Sequence, residues 1–198
     1  AFDLHRSGGV WLFPLLLILA VTSVAMNLRS ELVRPLVSLF SPLTPTPFET
    51  RSPGAQARIA AVSRQQILQN AQAQAAQLGI TRPSGSLFYS SAYGIYGVSF
   101  FASETEAGLG KPWLYFDGAN GELISALIPG QGSAGDIFMQ AQLPLHSGRI
   151  LGFTGRVLVS VVGVSVALLS VTGLLIWMRK RRARARSSRY GLGGLAGV

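Results

Sequence analysis

Two long apolar runs, one near each end of the chain, dominate the pattern of hydrophobic and polar positions. Residues 8–28 and residues 157–178 contain no charged side chain. Each run has the ~20 residues with which an α-helix crosses ~30 Å of hydrocarbon. The pattern therefore predicts two transmembrane helices, with everything between them on one side of a membrane.

The position of the first run, near the start of the chain, is also typical of a signal peptide. A signal peptide has an apolar stretch of only about 7–15 residues, and no small-residue cleavage site follows residues 8–28. We therefore interpret the run as a membrane helix whose polar members, Thr22, Ser23 and Asn27, hydrogen-bond to helix carbonyls. Since the chain begins at Ala1 rather than methionine, we expect that its N-terminus was removed or that further residues precede it.

The region between the two runs begins with a juxtamembrane segment and linker, residues 29–54. Prolines at positions 42, 45, 47 and 53 punctuate its second half. Proline fixes φ and restricts the residue before it. We therefore predict an extended linker over residues 41–53, with no helix or strand of its own.

Residues 55–130 predict an α+β module in which one helix packs on a small antiparallel sheet. Ser63 and Gln66 have the spacing of a capping box, and Gly79 suits the position after the last helical turn. The apolar face of this helix consists of Ile67, Ala71, Ala75 and Leu78. Aromatic and β-branched residues predict four strands, at residues 86–91, 95–102, 111–117 and 122–128, the last two joined by a turn over 117–121.

Residues 131–156 lead back to the second apolar run as a return linker and helix mouth. The glycines from Gly130 to Gly135 predict a flexible joint. Asp117, Glu122 and Asp136 have the chemistry of an acidic cluster, but a turn and a solvated strand end explain them more simply.

Composition supports a membrane protein. Hydrophobic residues make up 48% of the chain and charged residues only 13%, which is unusually apolar for a soluble domain. A net charge of +9 can indicate a nucleic-acid partner, but here the positive charge lies largely in the tail. Seven basic residues lie between Arg179 and Arg189, whereas residues 40–144 carry five basic and six acidic side chains. No nucleic-acid partner is therefore expected, and the absence of cysteine excludes disulfides and thiolate ligands.

The same charges predict an orientation. Lys and Arg accumulate in cytoplasmic loops and tails, so the basic tail, residues 179–198, is expected in the cytoplasm. With two spans, residues 1–7 are cytoplasmic too, and residues 40–144 face the periplasm or the exterior.

Small residues follow one face of the second apolar run, and Gly148 and Gly152 lie at its mouth. Such a face lets another helix approach closely in lipid. We therefore predict contact with a neighbouring helix through Ser160, Gly163, Ala167 and Ser170.

The chain has two histidines, and each lies at the mouth of an apolar run. His5 precedes the first run and His146 precedes the second. The predicted topology places them on opposite sides of ~30 Å of hydrocarbon. They cannot then form one two-ligand site, and an interfacial role without a ligand is an open alternative for both. Histidines on opposite sides of a membrane also argue against a hydrolytic Ser-His-Asp triad. The sequence contains no phosphate-binding loop and no dinucleotide-binding fingerprint.

Five short motifs carry a resemblance that covers nearly all of the chain. They are DLHR at 3–6, YFDGANGE at 115–122, PLHSGR at 144–149, GFTGR at 152–156 and SVTGLLIWMR at 170–179. Together they resemble the PepSY-associated transmembrane family. That resemblance implies a membrane α-helical fold with two transmembrane helices and a small extracytoplasmic α+β PepSY-like domain between them.

The resemblance also implies a cofactor. The family includes ferric-siderophore reductases of the bacterial inner membrane, in which b-type haems lie between histidine ligands, commonly in four spans built from two repeats. This chain is similar to the C-terminal repeat. The resemblance makes His5 and His146 candidate haem ligands, whose second axial ligands come from further helices. Arg6, Arg149 and Arg156 would neutralise haem propionates, or equally bind lipid phosphates.

Two functions follow as hypotheses. In the first, the chain is a haem b component of a ferric reductase-type electron-transfer protein of the inner membrane, acting with further helices or chains. In the second, it is a non-catalytic accessory subunit that packs on a larger membrane complex through its helices and periplasmic module. Lipid and other transmembrane helices are partners under both.

Overall fold

The structure is a computed structural model that describes residues 2–103 and 106–193, with side chains at 7–103 and 106–182. The chain forms two compact units. One consists of residues 1–20 and 157–198, and the other of residues 21–156. Each unit is treated by itself below.

Two long apolar helices occur where the hydrophobic pattern predicts them. Helix α1 spans Phe2–Asn27 and helix α6 spans Gly152–Gly193. Within the described residues, the segments Ser7–Asn27 and Arg149–Arg182 are long and apolar enough to cross a membrane, with mean hydropathies of 2.2 and 2.4. Only 11% and 6% of the apolar 18-residue stretches within them are buried, so the described chain leaves most of these side chains uncovered. Helix α6 extends past both predicted ends, since Lys and Arg in the tail are good helix formers.

The middle of the chain contains the predicted sheet. Strands β1 (Ser84–Ser90), β2 (Ile95–Phe100), β3 (Trp113–Asp117) and β4 (Leu123–Leu127) form an antiparallel meander in chain order. The predicted pairing of the last two strands is confirmed, with Leu114 opposite Ala126.

Helix α4 (Arg64–Gln77) covers one face of this sheet. Its buried residues Ile67, Ala71 and Ala75 pack on β2 and β3. Leu78, predicted on the same face, is 44% exposed. The reason is that the helix has ended: Leu78 caps it with φ −86° and ψ 3°, off the helical register.

The capping box of α4 is only half formed. Ser63 Oγ accepts a hydrogen bond from Gln66 N, as predicted. The Gln66 side chain instead donates to Asn70 Oδ1, 3.0 Å away. Gly79 follows the helix with φ 69°, which confirms its predicted position.

The segment predicted as juxtamembrane and extended is mostly helical. A π-helical turn at Arg29–Val33 continues into helix α2 (Arg34–Ser38), and helix α3 (Pro47–Thr50) interrupts the proline-rich part. The prediction of an extended linker is therefore wrong at α3. Thr46 and Glu49 form a complete capping box around Pro47, and proline at the first helical position favours a helix start.

The return segment is also a helix. Helix α5 spans Ala134–His146 and contains Pro144 in its last turn, so the predicted flexible joint at Gly130–Gly135 ends where a helix begins. Ser133 and Asp136 cap it reciprocally, at 3.0 and 3.1 Å. Asp136 is thus a helix-capping residue and not a solvated strand end.

Helix α5 is attached to the end of α1 and to the residues that follow it. Met139 is buried against Ala25 and Val33. Asp136 also accepts hydrogen bonds from the backbone and the hydroxyl of Thr44, both at 2.8 Å. The return segment and the start of the linker therefore form one packed layer.

A tight turn joins α5 to α6 through the three-residue helix Arg149–Leu151. Gly148 has φ 73° and Gly152 has φ 64°, a region that favours glycine. Gly148 and Gly155 are in such close contact that a Cβ on either would overlap the backbone of the other. The predicted glycine pattern at the helix mouth thus makes a turn within the chain.

Candidate functional site

His146 is held by a side chain from the other end of the chain. It is the last residue of α5 and is half-buried. Thr22 Oγ1, on α1, lies 3.0 Å from His146 Nδ1. Thr22 is only 3% exposed, because it lies one turn before the buried Ala25 on the face that packs on α5.

This contact adds a partner to the sequence-based interpretation of Thr22. The pattern predicts a local hydrogen bond of its hydroxyl to a helix carbonyl, and the structure brings that hydroxyl to a residue 124 positions away. The pairing depends on α5 being a helix, which the sequence did not predict. No local signal at Thr22 could have shown it.

The Thr22 contact bears on which imidazole nitrogen can bind a metal. When Nδ1 carries the proton, it donates to the Thr22 hydroxyl and the lone pair lies on Nε2. Metal-binding histidines are usually oriented in this way by a partner on the second ring nitrogen. In that tautomer, Nε2 carries the lone pair that metal ligation requires.

Gln142 lies on the same face of α5, one turn before His146, and sequence analysis did not single it out. It is 4% exposed, and its Nε2 donates to Phe138 O at 2.8 Å. Within the described residues its Oε1 is buried without a hydrogen-bond partner. A buried polar atom without a partner is costly, so this face of α5 has one acceptor that the described chain leaves unsatisfied.

The described residues include one of the two histidines that the sequence offers as ligands. His146 is the one histidine whose side chain is described, and no cluster of three or more metal-binding side chains occurs in that part of the chain. His5 and Arg6 lie in α1, but their side chains are outside the described residues. The geometry of the candidate ligands is therefore known for His146 alone.

The two other candidate arginines lie on the elements that follow His146. Arg149 begins the three-residue helix and Arg156 lies in the first turns of α6; both are half-buried. Arg149 also lines the cavity described below. These positions place cationic groups on the segment after His146.

The predicted packing stripe faces outward. A Cβ on Gly163 would meet no atom within 4 Å, and the Ser170 hydroxyl bonds to Val166 O of its own helix at 2.8 Å. The described part of the chain leaves all four members exposed: Ser160, Gly163, Ala167 and Ser170.

A cavity of about 770 Å³ lies within the unit formed by residues 21–156. Its walls are β3 and β4, the segment that contains α3, and the side of α5 that carries Leu143 and Pro144. His146 is not one of its lining residues. The cavity has the size of a small-molecule site.

Aromatic rings form one wall of this cavity. The rings of Trp113 and Tyr115 lie 6.1 Å apart with planes only 13° from parallel, and Phe48 meets Tyr115 edge-on at 5.7 Å. Burial raises the pKa of the Tyr115 phenol above its usual value, and the nearby Arg29 guanidinium offsets part of that rise. The phenol is therefore protonated at neutral pH.

Three carboxylates line the cavity, and each already has donors from the chain. Glu49 pairs with Arg34 at 3.0 Å, and Glu106 pairs with Arg82 at 3.2 Å. Burial would raise the pKa of Asp136, but hydrogen bonds from Thr44 and Ser133 outweigh burial and lower it. The three acidic groups are thus engaged within the protein.

Comparison with known proteins gives one family. No curated protein matches the chain. The family model described as the PepSY-associated TM region matches residues 1–180, which include both apolar helices, the sheet, Thr22 and His146. Since this match covers far more than half of the sequence, the chain belongs to the PepSY-associated transmembrane family.

Proposed function

We propose that the chain is a haem b-binding electron-transfer component of the bacterial inner membrane, of ferric-siderophore reductase type, which acts with further helices or chains. The observation that carries the proposal is the hydrogen bond of 3.0 Å between the buried Thr22 hydroxyl and His146 Nδ1. This contact at the end of α5 would hold the His146 imidazole in one orientation, as a partner on the second ring nitrogen does for metal-binding histidines. Family membership and the two apolar helices support the membrane location.

In this proposal, His146 would hold the haem iron through an imidazole nitrogen, and the Thr22 hydroxyl would orient the ring. Arg149, next along the chain, would balance propionate charge. The haem supplies one-electron transfer when it is bound. His5 would serve a second site at the cytoplasmic side, and both second axial ligands would come from other helices.

The proposed topology places both termini in the cytoplasm and residues 40–144 in the periplasm. The basic tail after α6 supports this orientation through the positive-inside rule. The sheet module would then lie on the side of the membrane where an external acceptor arrives.

A reduced-minus-oxidised visible spectrum of the full chain, purified from membranes with its partners, tests the proposal. We expect a b-type α-band that His146→Ala removes or halves. His146→Ala can also disturb folding, so circular dichroism must show an unchanged helix content. The absence of any haem band in the purified wild-type complex would reject the proposal.

Variants of Thr22 separate a positioning role from a structural one. Thr22→Val removes the hydroxyl at nearly constant shape and should shift the haem reduction potential or lower haem affinity about 10–100-fold. Thr22→Ser keeps the hydroxyl and should restore the wild-type values. If Thr22→Val has the wild-type spectrum, potential and affinity, the hydrogen bond does not orient a haem ligand.

The exposed stripe on α6 favours a second candidate, a non-catalytic accessory subunit that packs on a larger membrane complex. Gly163 is central because nothing in the described chain covers it. Gly163→Leu should then release the chain from its partner during co-purification, whereas Val161→Phe, which adds bulk roughly opposite on the helix, should not. Retained co-purification of Gly163→Leu would exclude this face as the contact.

A further inference from the structure

The charges around the 770 Å³ cavity do not balance. Its carboxylates all have donors from the chain, as described above, and one lining arginine, Arg34, is occupied by Glu49. Arg29 and Arg149 also line the cavity, and neither has a carboxylate within ion-pair distance among the described residues. Among the described residues, the cavity therefore presents two guanidinium groups without carboxylate partners.

The two arginines are placed by different elements. Arg29 begins the π-helical turn after α1, and Arg149 begins the short helix after α5. Guanidinium groups bind carboxylates and phosphates through paired hydrogen bonds. Arg29 and Arg149 are thus suited to bind an anionic group of a ligand.

The aromatic wall sets a second requirement for the ligand, an aromatic part in addition to the anionic group. Trp113 and Tyr115 present half-buried rings from β3 that stack with nearly parallel planes, with Phe48 edge-on beside Tyr115. The ring of a flat ligand can extend such a stack through offset stacking. A bare phosphate, free or on a lipid headgroup, would engage the arginines and leave this wall unused.

We infer that the cavity is a binding site for a small planar anion, an aromatic or conjugated carboxylate, whose charge meets Arg29 and Arg149 and whose ring lies on Trp113 and Tyr115. His146 does not line the cavity, so the proposed haem ligand lies outside this site, although the proposed function also uses Arg149. The site requires no haem, so it can be tested independently of the function proposed above.

Calorimetric titration of the full chain in phosphatidylcholine nanodiscs with 2-naphthoate tests the inference. We expect saturable binding at one site per chain. Naphthalene-2-carboxamide has the ring without the charge, and cyclohexanecarboxylate has the charge without the aromatic ring. Each should bind about tenfold more weakly or worse, because each loses one class of contact.

Variants locate the site. Arg29→Gln with Arg149→Gln should weaken 2-naphthoate binding at least about tenfold, and Trp113→Leu should weaken it as well. Trp113→Phe keeps a ring and should retain binding. Arg64→Gln is the matched control, because Arg64 is exposed on α4 and does not line the cavity. Unchanged circular dichroism shows that a variant has folded.

Three results would overturn the inference: no saturable binding of 2-naphthoate, equal binding by the double arginine variant, or equal binding of the uncharged amide. Titration with inorganic phosphate, and titration in phosphatidylglycerol-containing nanodiscs, test whether the arginines bind a free phosphate or a lipid headgroup instead. If phosphate binds and 2-naphthoate does not, or if phosphatidylglycerol abolishes 2-naphthoate binding, the arginines serve phosphate groups and the aromatic ligand is rejected.

Discussion

Arg51 Nη2 and Asp117 Oδ2 form an ion pair of 2.6 Å that joins the proline-rich segment to the turn after β3. Both side chains are largely buried, and Arg51 also donates to the carbonyls of Tyr93 and Gly94. The segment before the module is therefore bound to the sheet. Arg51 bonds both to Asp117 at the end of β3 and to carbonyls in the turn between β1 and β2.

Removal of this arginine should destabilise the module. Arg51→Gln leaves the Asp117 carboxylate with fewer donors, and we expect the free energy of unfolding to fall by about 1–3 kcal/mol. Urea unfolding followed by the fluorescence of Trp113 measures this change. Arg64→Gln, which removes an exposed arginine of α4, should change stability by less than about 0.5 kcal/mol.

Acid should remove the contribution of Asp117. Burial would raise the pKa of this carboxyl, but hydrogen bonds from Ala119 N and Arg51 outweigh burial and lower it below the usual value. A group with a lowered pKa in the folded state contributes stability above its unfolded pKa, and that contribution disappears as the pH falls through the folded value.

Stability measured against pH can test this assignment. The wild-type module should lose stability below about pH 4. Asp117→Asn should be less stable at neutral pH and should show a shallower acid dependence, to which Asp136 and Glu106 still contribute. If the stability of Asp117→Asn changes with pH in parallel with that of the wild type, protonation of Asp117 is not linked to folding stability.

Asp136 should be the key residue for the start of α5. Asp136→Ala removes the reciprocal cap with Ser133 and both bonds from Thr44, so we expect a loss of about 1–2 kcal/mol. Hydrogen exchange of the first-turn amides of α5 should accelerate. Thr44→Val, which removes only the hydroxyl bond, should have a smaller effect; equal effects would mean that the cap itself contributes little.

The turn between α5 and α6 should not tolerate a methyl group at Gly155. Gly155→Ala drives a Cβ into Gly148, and overpacking of this kind costs about 1–3 kcal/mol. Thermal melting in detergent measures the loss. Gly163→Ala is the control because its Cβ meets open space, and it should melt at the wild-type temperature.

Local sequence patterns were sufficient to predict the helices and strands that bury one face. The apolar runs, the buried positions of α4 and the four strands all repeat with a period that the sequence shows directly. The turn at Asp117 is also visible, because its glycine and asparagine residues are those a tight reversal requires. The four strands and α4 were predicted within a few residues of their observed bounds, whereas α6 extends past both of its predicted ends.

The candidate site was harder to predict because its partners are distant in sequence. His146 was recognised as a candidate, but Thr22, which contacts it, is 124 residues earlier. Gln142 becomes meaningful only once α5 is known to be a helix, since only then does it share a face with His146. The capping box at Ser133 and Asp136 was the overlooked local signal for that helix.

The cavity escaped prediction for a related reason. Phe48 comes from a segment expected to be extended, while Trp113 comes from a strand, and only tertiary packing brings their neighbourhood together. Arg29 and Arg149 were each visible as basic residues beside an apolar run. Nothing in their spacing indicates that both line one cavity.

The order of the strands has a consequence for how the chain assembles during synthesis. Every strand pairs with its immediate neighbour in sequence, so the sheet and α4 need no residue beyond Leu127. Such short-range pairing closes small loops and favours rapid folding. The module can therefore fold while α5 and α6 are still being made. The bonds of Asp136 to Thr44, across 92 positions, can form only after the start of α5 has been made.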